Sequence, residues 1–146
     1  MKILVMNWRD IKNPAHGGAE IVTHEHMKRW AKAGHECTLI ASAFYGCKKI
    51  EEIAGYKIYR AGNRFTVYWN AYKLYKKHFK GKVDLVIDEV NTIPFFTALY
   101  VKEKKMALFH QLCRKIWFYE ALFPFSLIGY LAEPVYLRFY KKCLEK

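Results

Sequence analysis

The chain alternates between short apolar runs and longer segments in which apolar residues recur every three or four positions. Lys2–Asn7 (KILVMN) is an apolar run ending in a polar loop, Trp8–His16, and reads as a strand buried on both faces. The loop closes with Gly17-Gly18-Ala19-Glu20, and a helical pattern follows up to Gly34. At 100° per residue, Ala19, Val22, His26, Trp30 and Ala33 share one stripe with Thr23 at its edge, which predicts the buried face. Gly34 is the natural residue to end this helix in the left-handed conformation. His35–Ser42 (HECTLIAS) is the second strand, and a right-handed crossover makes it parallel to the first.

The alternation continues. Glu52–Ala61 predicts one strand entered by a turn at Ala54-Gly55, and Asn63–Lys80 a helix stopped by Gly81. Val83–Asp88 (VDLVID) is a buried strand, Ile93–Val101 a short helix begun near Pro94, and Lys105–Phe109 (KMALF) another central strand with His110 at its carboxyl end. The order β-α-β-β-α-β-α-β predicts an α/β fold with a mainly parallel sheet and helices on both faces. After Arg114 the composition shifts. Residues 116–140 are dense in aromatics and carry only Glu120, Glu133 and Arg138 as charges. The longest uncharged stretch in that tract, Ala121–Ala132, is too short to span a bilayer and is interrupted by Pro124 and Gly129, and Pro134 is expected to start a last helix with Val135, Phe139 and Cys143 on one side.

Composition adds a strong charge bias to this pattern. The 146 residues hold 25 Lys+Arg against 13 Asp+Glu, a formal net charge of +12, with 53% hydrophobic residues. The length suits one domain and the apolar fraction excludes a disordered chain. No secretory signal is recognisable at Met1–Asp10. Cys37, Cys47, Cys113 and Cys143 show no CxxC or disulfide-framework spacing and read as thiols, fitting a cytoplasmic setting. The basic residues are spread along the chain rather than gathered in a nucleic-acid module, so nucleic acid is not the expected partner. Lys73, Lys76, Lys77, Lys80 and Lys82 read as the wet face of a surface helix.

In open α/β sheets, ligands bind beyond the carboxyl ends of the strands, and three segments qualify. Gly17-Gly18 lets backbone N–H groups approach a ligand at a helix start, suited to a phosphate, although neither dinucleotide nor P-loop fingerprint is present and a plain tight turn would look the same. Asp88-Glu89-Val90-Asn91 could hold a sugar hydroxyl or a base, or could cap the next helix. His110 faces the same crevice and could supply a hydrogen bond or a proton, or serve only structure. His24-Glu25-His26 is set aside as a metal site because i and i+2 diverge on a helix, and no metal is expected.

Together, KILVMNW, the GGAE helix start, the AGHECTLI run and the histidine in ALFHQL resemble the amino-terminal domain of family 4 retaining glycosyltransferases of the GT-B fold. The resemblance covers residues 1–146 as a single Rossmann-like domain, with Cys37 where the family usually has valine. It implies transfer of a sugar from a nucleotide-diphosphate donor to an acceptor, lipid-linked acceptors included, with retention and no cofactor. Gly17 and Gly18 would then meet the donor diphosphate, His110 would sit at the reacting centre, and Glu20, Asp88, Glu89, Asn91 and Arg114 would hold the acceptor or order the loop. The family's second domain, with its E-x7-E motif, is absent from these residues, so the isolated chain is expected to be inactive. The aromatic tract, read with the positive charge, suggests a peripheral site on the inner face of a membrane, a surface for the second domain, or a non-enzymatic membrane or partner-binding module.

Overall fold

The structure is a computed structural model that describes residues 1–111, 117–120 and 122–144. Met1–His110 forms one compact unit and Gln111–Lys146 a second. The first unit is built on β1 (Lys2–Met6), α1 (Gly18–Lys32), β2 (Glu36–Ala41), β3 (Ile50–Ile53), β4 (Tyr56–Arg60), α2 (Val67–Leu74), β5 (Leu85–Val90), α3 (Thr97–Tyr100) and β6 (Lys104–Phe109). Its six strands lie in the order β3-β4-β2-β1-β5-β6. All neighbours pair in parallel except β3 with β4. This is the predicted Rossmann-like α/β architecture.

Strand parity sorts the core into two layers. Ile3 and Val5 of β1, Cys37 and Leu39 of β2, Ile58 of β4 and Ile87 of β5 pack with Met27 of α1 on one face. Leu4, Met6, Ile40 and Val86 pack with Val67 and Ala71 of α2 on the other. Each strand alternates sides with period two, and the central strands are apolar on both. Burial pushes the Cys37 thiol pKa up, in keeping with its place as a small hydrophobe.

Several expectations change. The segment read as one strand is a hairpin: β3 precedes the Ala54-Gly55 turn, and Ile53 pairs with Tyr56 across it. Both turn residues have positive φ, 50° and 87°, which matches the right-handed twist of a tight hairpin. Residues 63–66 are not helical, because the Asn63 carboxamide oxygen accepts the Phe65 and Thr66 amides (2.9 and 3.0 Å) and holds a turn before α2. Helix α2 then loosens into a π turn over Tyr75–Phe79. Finally, the buried face of α1 carries Glu20, Thr23 and Met27, with Val22 exposed, so the stripe is rotated from the purely apolar one. The cause lies in the site described below, where polar groups of the first turn face inward.

In the second unit, α4 (Trp117–Glu120) precedes α5 (Phe125–Leu144). Helix α5 starts well before Pro134 and runs through it. A proline there forfeits one backbone bond, which the flanking turns tolerate. Its buried positions are Ser126, Gly129, Glu133 and Tyr140, while Phe125, Ile128, Leu131 and Val135 are exposed. Among the described residues, no helix is long and apolar enough to cross a membrane.

Candidate functional site

The carboxyl ends of β1, β5 and β6 bring the polar residues together. Pairing of Met6 with Asp88 and of Glu89 with Leu108 sets the register. The ladders continue one step further, through the Asn7 amide to the Ile40 carbonyl (3.1 Å) and the His110 amide to the Val90 carbonyl (3.2 Å). By parity, Asn7, Glu89 and His110 fall on the α1 side of the sheet, while Asp88 falls on the α2 side.

Glu89 is the hub on the α1 side. It is 2% exposed, and its Oε2 accepts hydrogen bonds from Asn7 Nδ2 (2.9 Å) and from the Thr23 hydroxyl of α1. His110 Nε2 lies 3.2 Å from the same oxygen. A carboxylate only accepts, so Nε2 carries the hydrogen and a neutral imidazole keeps its lone pair on Nδ1. The His110 side chain is 12% exposed, which holds the ring in a fixed place with limited contact to water.

A second carboxylate, Glu20, organises the helix start. Its Oε2 accepts the Gly17 amide at 2.6 Å, one arm of a capping box, and Arg9 Nη2 approaches it to 3.6 Å. Asn91 Nδ2 reaches Glu20 Oε1 (3.3 Å) and Asn7 Oδ1 (2.9 Å). A continuous chain of hydrogen bonds therefore runs from the Gly17 amide through Glu20, Asn91, Asn7 and Glu89 to His110. Buried polar groups are stable only when partnered in this way. The first bond inside α1 runs from the Ile21 amide to the Gly17 carbonyl, so the amides of Gly18, Ala19 and Glu20 have no acceptor within the helix. Gly17 is extended (φ −133°), and a Cβ built on Gly18 meets nothing within 4 Å. Neither glycine is needed for backbone conformation or internal packing; Gly18 leaves open space before the helix's positive end.

The loop that delivers Gly17 is pinned from β4. Arg60 grips Asp10 through Nε to Oδ2 (2.7 Å) and Nη2 to Oδ1 (3.0 Å), and its Nη1 reaches Glu51 Oε2 (2.7 Å) and the Lys48 carbonyl (3.0 Å). The Arg60 and Asp10 side chains are wholly buried. Lys12 completes the cluster on Glu51. Hydrogen bonds from Lys12 and Arg60 hold the Glu51 carboxyl pKa down at about 2. Burial works against the Arg60 charge, yet its bonds to Asp10 and Glu51 outweigh that and raise its pKa.

Of the residues singled out from sequence, Gly17, Glu20, Glu89, Asn91 and His110 are joined in one network, with Gly18 at its helix end. Strand β5 runs on past Asp88 to Val90, so Glu89 lies inside it rather than after it. The Asp88 carboxylate turns to the other face, where it accepts the Phe95 amide (3.0 Å) and the Thr97 amide and hydroxyl (3.2 and 2.9 Å) at the start of α3. Arg114 lies outside the described residues. Asn7, Thr23, Asp10, Arg60 and Glu51 were not anticipated as partners. A cation ending the otherwise apolar-facing strand YKIYR was the available signal for Arg60, and the i, i+3 spacing from Glu20 for Thr23.

No protein-family model and no curated protein sequence matches the chain. Among solved structures, it is similar to sucrose-phosphate synthase from Thermosynechococcus elongatus, with a TM-score of 0.58 and 12% sequence identity. The match covers 90% of this chain and 39% of that one, so the chain spans well under half the length of the protein it resembles. At this identity the likeness is one of fold.

Proposed function

We propose that the chain is the acceptor-side, amino-terminal domain of a retaining glycosyltransferase that takes a sugar from a nucleotide-diphosphate donor. The carrying observation is the hydrogen-bonded chain that ties the open helix start at Gly17-Gly18 to His110 across one sheet edge. The amides of Gly18, Ala19 and Glu20 receive the donor diphosphate, aided by the helix dipole. Arg9 lies close enough to Glu20 to offset its negative charge at that helix end. His110 stands beside the reacting centre with a fixed tautomer. Glu89 and Asn91 order that edge from below, Glu20 orders the loop, and Asp88 braces the segment that leads into α3. A second domain, supplying the nucleotide site, completes the enzyme, and the acceptor, sugar or lipid-linked, lies on this one. No cofactor is required, and the setting is cytoplasmic. The exposed apolar side of α5 is the surface we assign to contact with the second domain.

The test compares this chain with the full gene product, assaying nucleoside-diphosphate release from a panel of nucleotide sugars in the presence of acceptor. The full product should turn over and the isolated chain should not. Absence of turnover with every donor would reject the reading. Gly18→Ala sharpens it. Alanine removes backbone freedom from the unfolded chain and meets no obstacle in the fold, so denaturant melts should show a gain of about 0.5 kcal/mol. Donor affinity should fall, because the new methyl occupies the space before the amides. A stabilised variant with unchanged donor affinity would mean that this space holds only solvent.

A further inference from the structure

Residues 63–82 contain Arg64, Lys73, Lys76, Lys77, Lys80 and Lys82 and no Asp or Glu. Helix α2 buries Val67 and Ala71, so its opposite side faces outward. That outer side carries Trp69, 60% exposed, with Lys73 beside it, and Phe65, 75% exposed, in the turn just before the helix. Within α2, spacings of three and four place Trp69, Tyr72 and Lys73 along one stripe. Each ring has a cation over it: Arg64 lies 4.8 Å from the Phe65 centroid, Lys73 5.4 Å from Trp69, and Lys76 5.3 Å from Tyr72. Trp69 and Tyr72 also stack on each other at 5.3 Å.

We propose that this outer face of α2 docks on an anionic lipid bilayer. An acid-free row of cations demands an anionic partner, and large apolar rings left in water demand an apolar one; a bilayer surface offers both. Single-stranded nucleic acid fits less well. Base stacking needs open ring faces, and Trp69 and Tyr72 already occupy one face of each other. The exposed side of α5 is the weaker candidate for the same role, because Phe125, Ile128, Leu131 and Val135 are accompanied by no cation until Arg138. The inference does not depend on sugar transfer and is read without it.

Co-sedimentation of the full chain with phosphatidylcholine vesicles, with and without phosphatidylglycerol, tests the proposal. Binding should require phosphatidylglycerol and weaken as salt is raised. Removing two cations with Lys73→Gln and Lys76→Gln should weaken it about thirtyfold, on the basis of roughly 1 kcal/mol per cation near the surface. Trp69→Ser should weaken it independently, and circular dichroism should show both variants folded, since these side chains are exposed. The proposal is overturned if the chain ignores phosphatidylglycerol vesicles, if the folded variants bind as wild type does, which would move the contact to another face such as α5, or if single-stranded RNA is bound more tightly than the vesicles.

Discussion

Arg60→Ala is expected to destabilise the Met1–His110 unit by about 3–5 kcal/mol, the usual cost of removing one partner from a buried ion pair. The substitution strands the Asp10 carboxylate, which has no exposure to water and loses both guanidinium bonds. It also releases Glu51 and the Lys48 carbonyl, so the β3 side of the cluster loosens with the loop. Urea titration should therefore show a lower midpoint, and hydrogen exchange should show faster opening between Asn7 and Gly17. Replacing Arg60 and Asp10 together by apolar residues of similar size should cost less than Arg60→Ala alone, because no buried charge is left behind. The same cluster sets an acid limb. Glu51 has its pKa depressed to about 2, so its contribution is fully present above its ordinary value near 4.5 and is lost as pH falls through the folded value. Wild type and Glu51→Gln should thus differ in stability at neutral pH and converge towards pH 2. In Arg60→Ala the difference should shrink without vanishing, since Lys12 still holds Glu51.

Much of the fold was legible because central parallel strands are apolar on both faces and stand out as runs. KILVM and CTLIA needed no context to be recognised, whereas KMALF, expected to be another central strand, forms the half-exposed edge strand β6. The hairpin was harder. In the bounds of β3, Ile50–Ile53, two glutamates stand between two isoleucines, so an edge strand with one wet face looks like a loop. The face of α1 was misplaced for a related reason. An apolar wheel cannot know that Glu20 and Thr23 turn inward to meet Asn91 and Glu89, since their burial is favourable only when those partners are in place. Helix α5 passes Pro134 because the energy of continuing the helix is distributed over many residues, whereas sequence reading weighs the proline locally. For the candidate site, position along the chain was enough to single out Gly17, Gly18 and His110, each at the carboxyl end of the sheet or the helix start beside it. Separating Glu89 from Asp88 was not possible from adjacency. It required strand parity and the discovery that β5 extends through Val90, which sends one carboxylate to His110 and the other to the amides of 95 and 97.

That separation gives the second large effect. On the proposed function, His110→Ala in the full two-domain enzyme should lower kcat by about 10²–10⁴-fold, the range for a positioned acid–base group. Its stability should change by only about 1 kcal/mol, since one hydrogen bond is lost and Glu89 keeps two other donors. Unchanged transfer by His110→Ala would remove His110 from the chemistry. Glu89→Gln separates ring orientation from ring presence. A glutamine amide can turn either its oxygen or its N–H₂ towards His110 Nε2, so the hydrogen is no longer confined to that nitrogen. The imidazole ¹⁵N shifts of His110 should then move from a single Nε2-protonated form towards a mixture of tautomers. The kcat of Glu89→Gln should fall between those of wild type and His110→Ala, with KM for the donor little changed, because the diphosphate amides at Gly18–Glu20 are untouched. Asp88→Asn is the control. It is equally buried and adjacent in sequence, but its bonds go to Phe95 and Thr97. It should therefore lower stability without altering the His110 tautomer. If Asp88→Asn and Glu89→Gln changed the ¹⁵N spectrum alike, the assignment of orientation to Glu89 would fail, and the effect would belong to the packing of β5 as a whole.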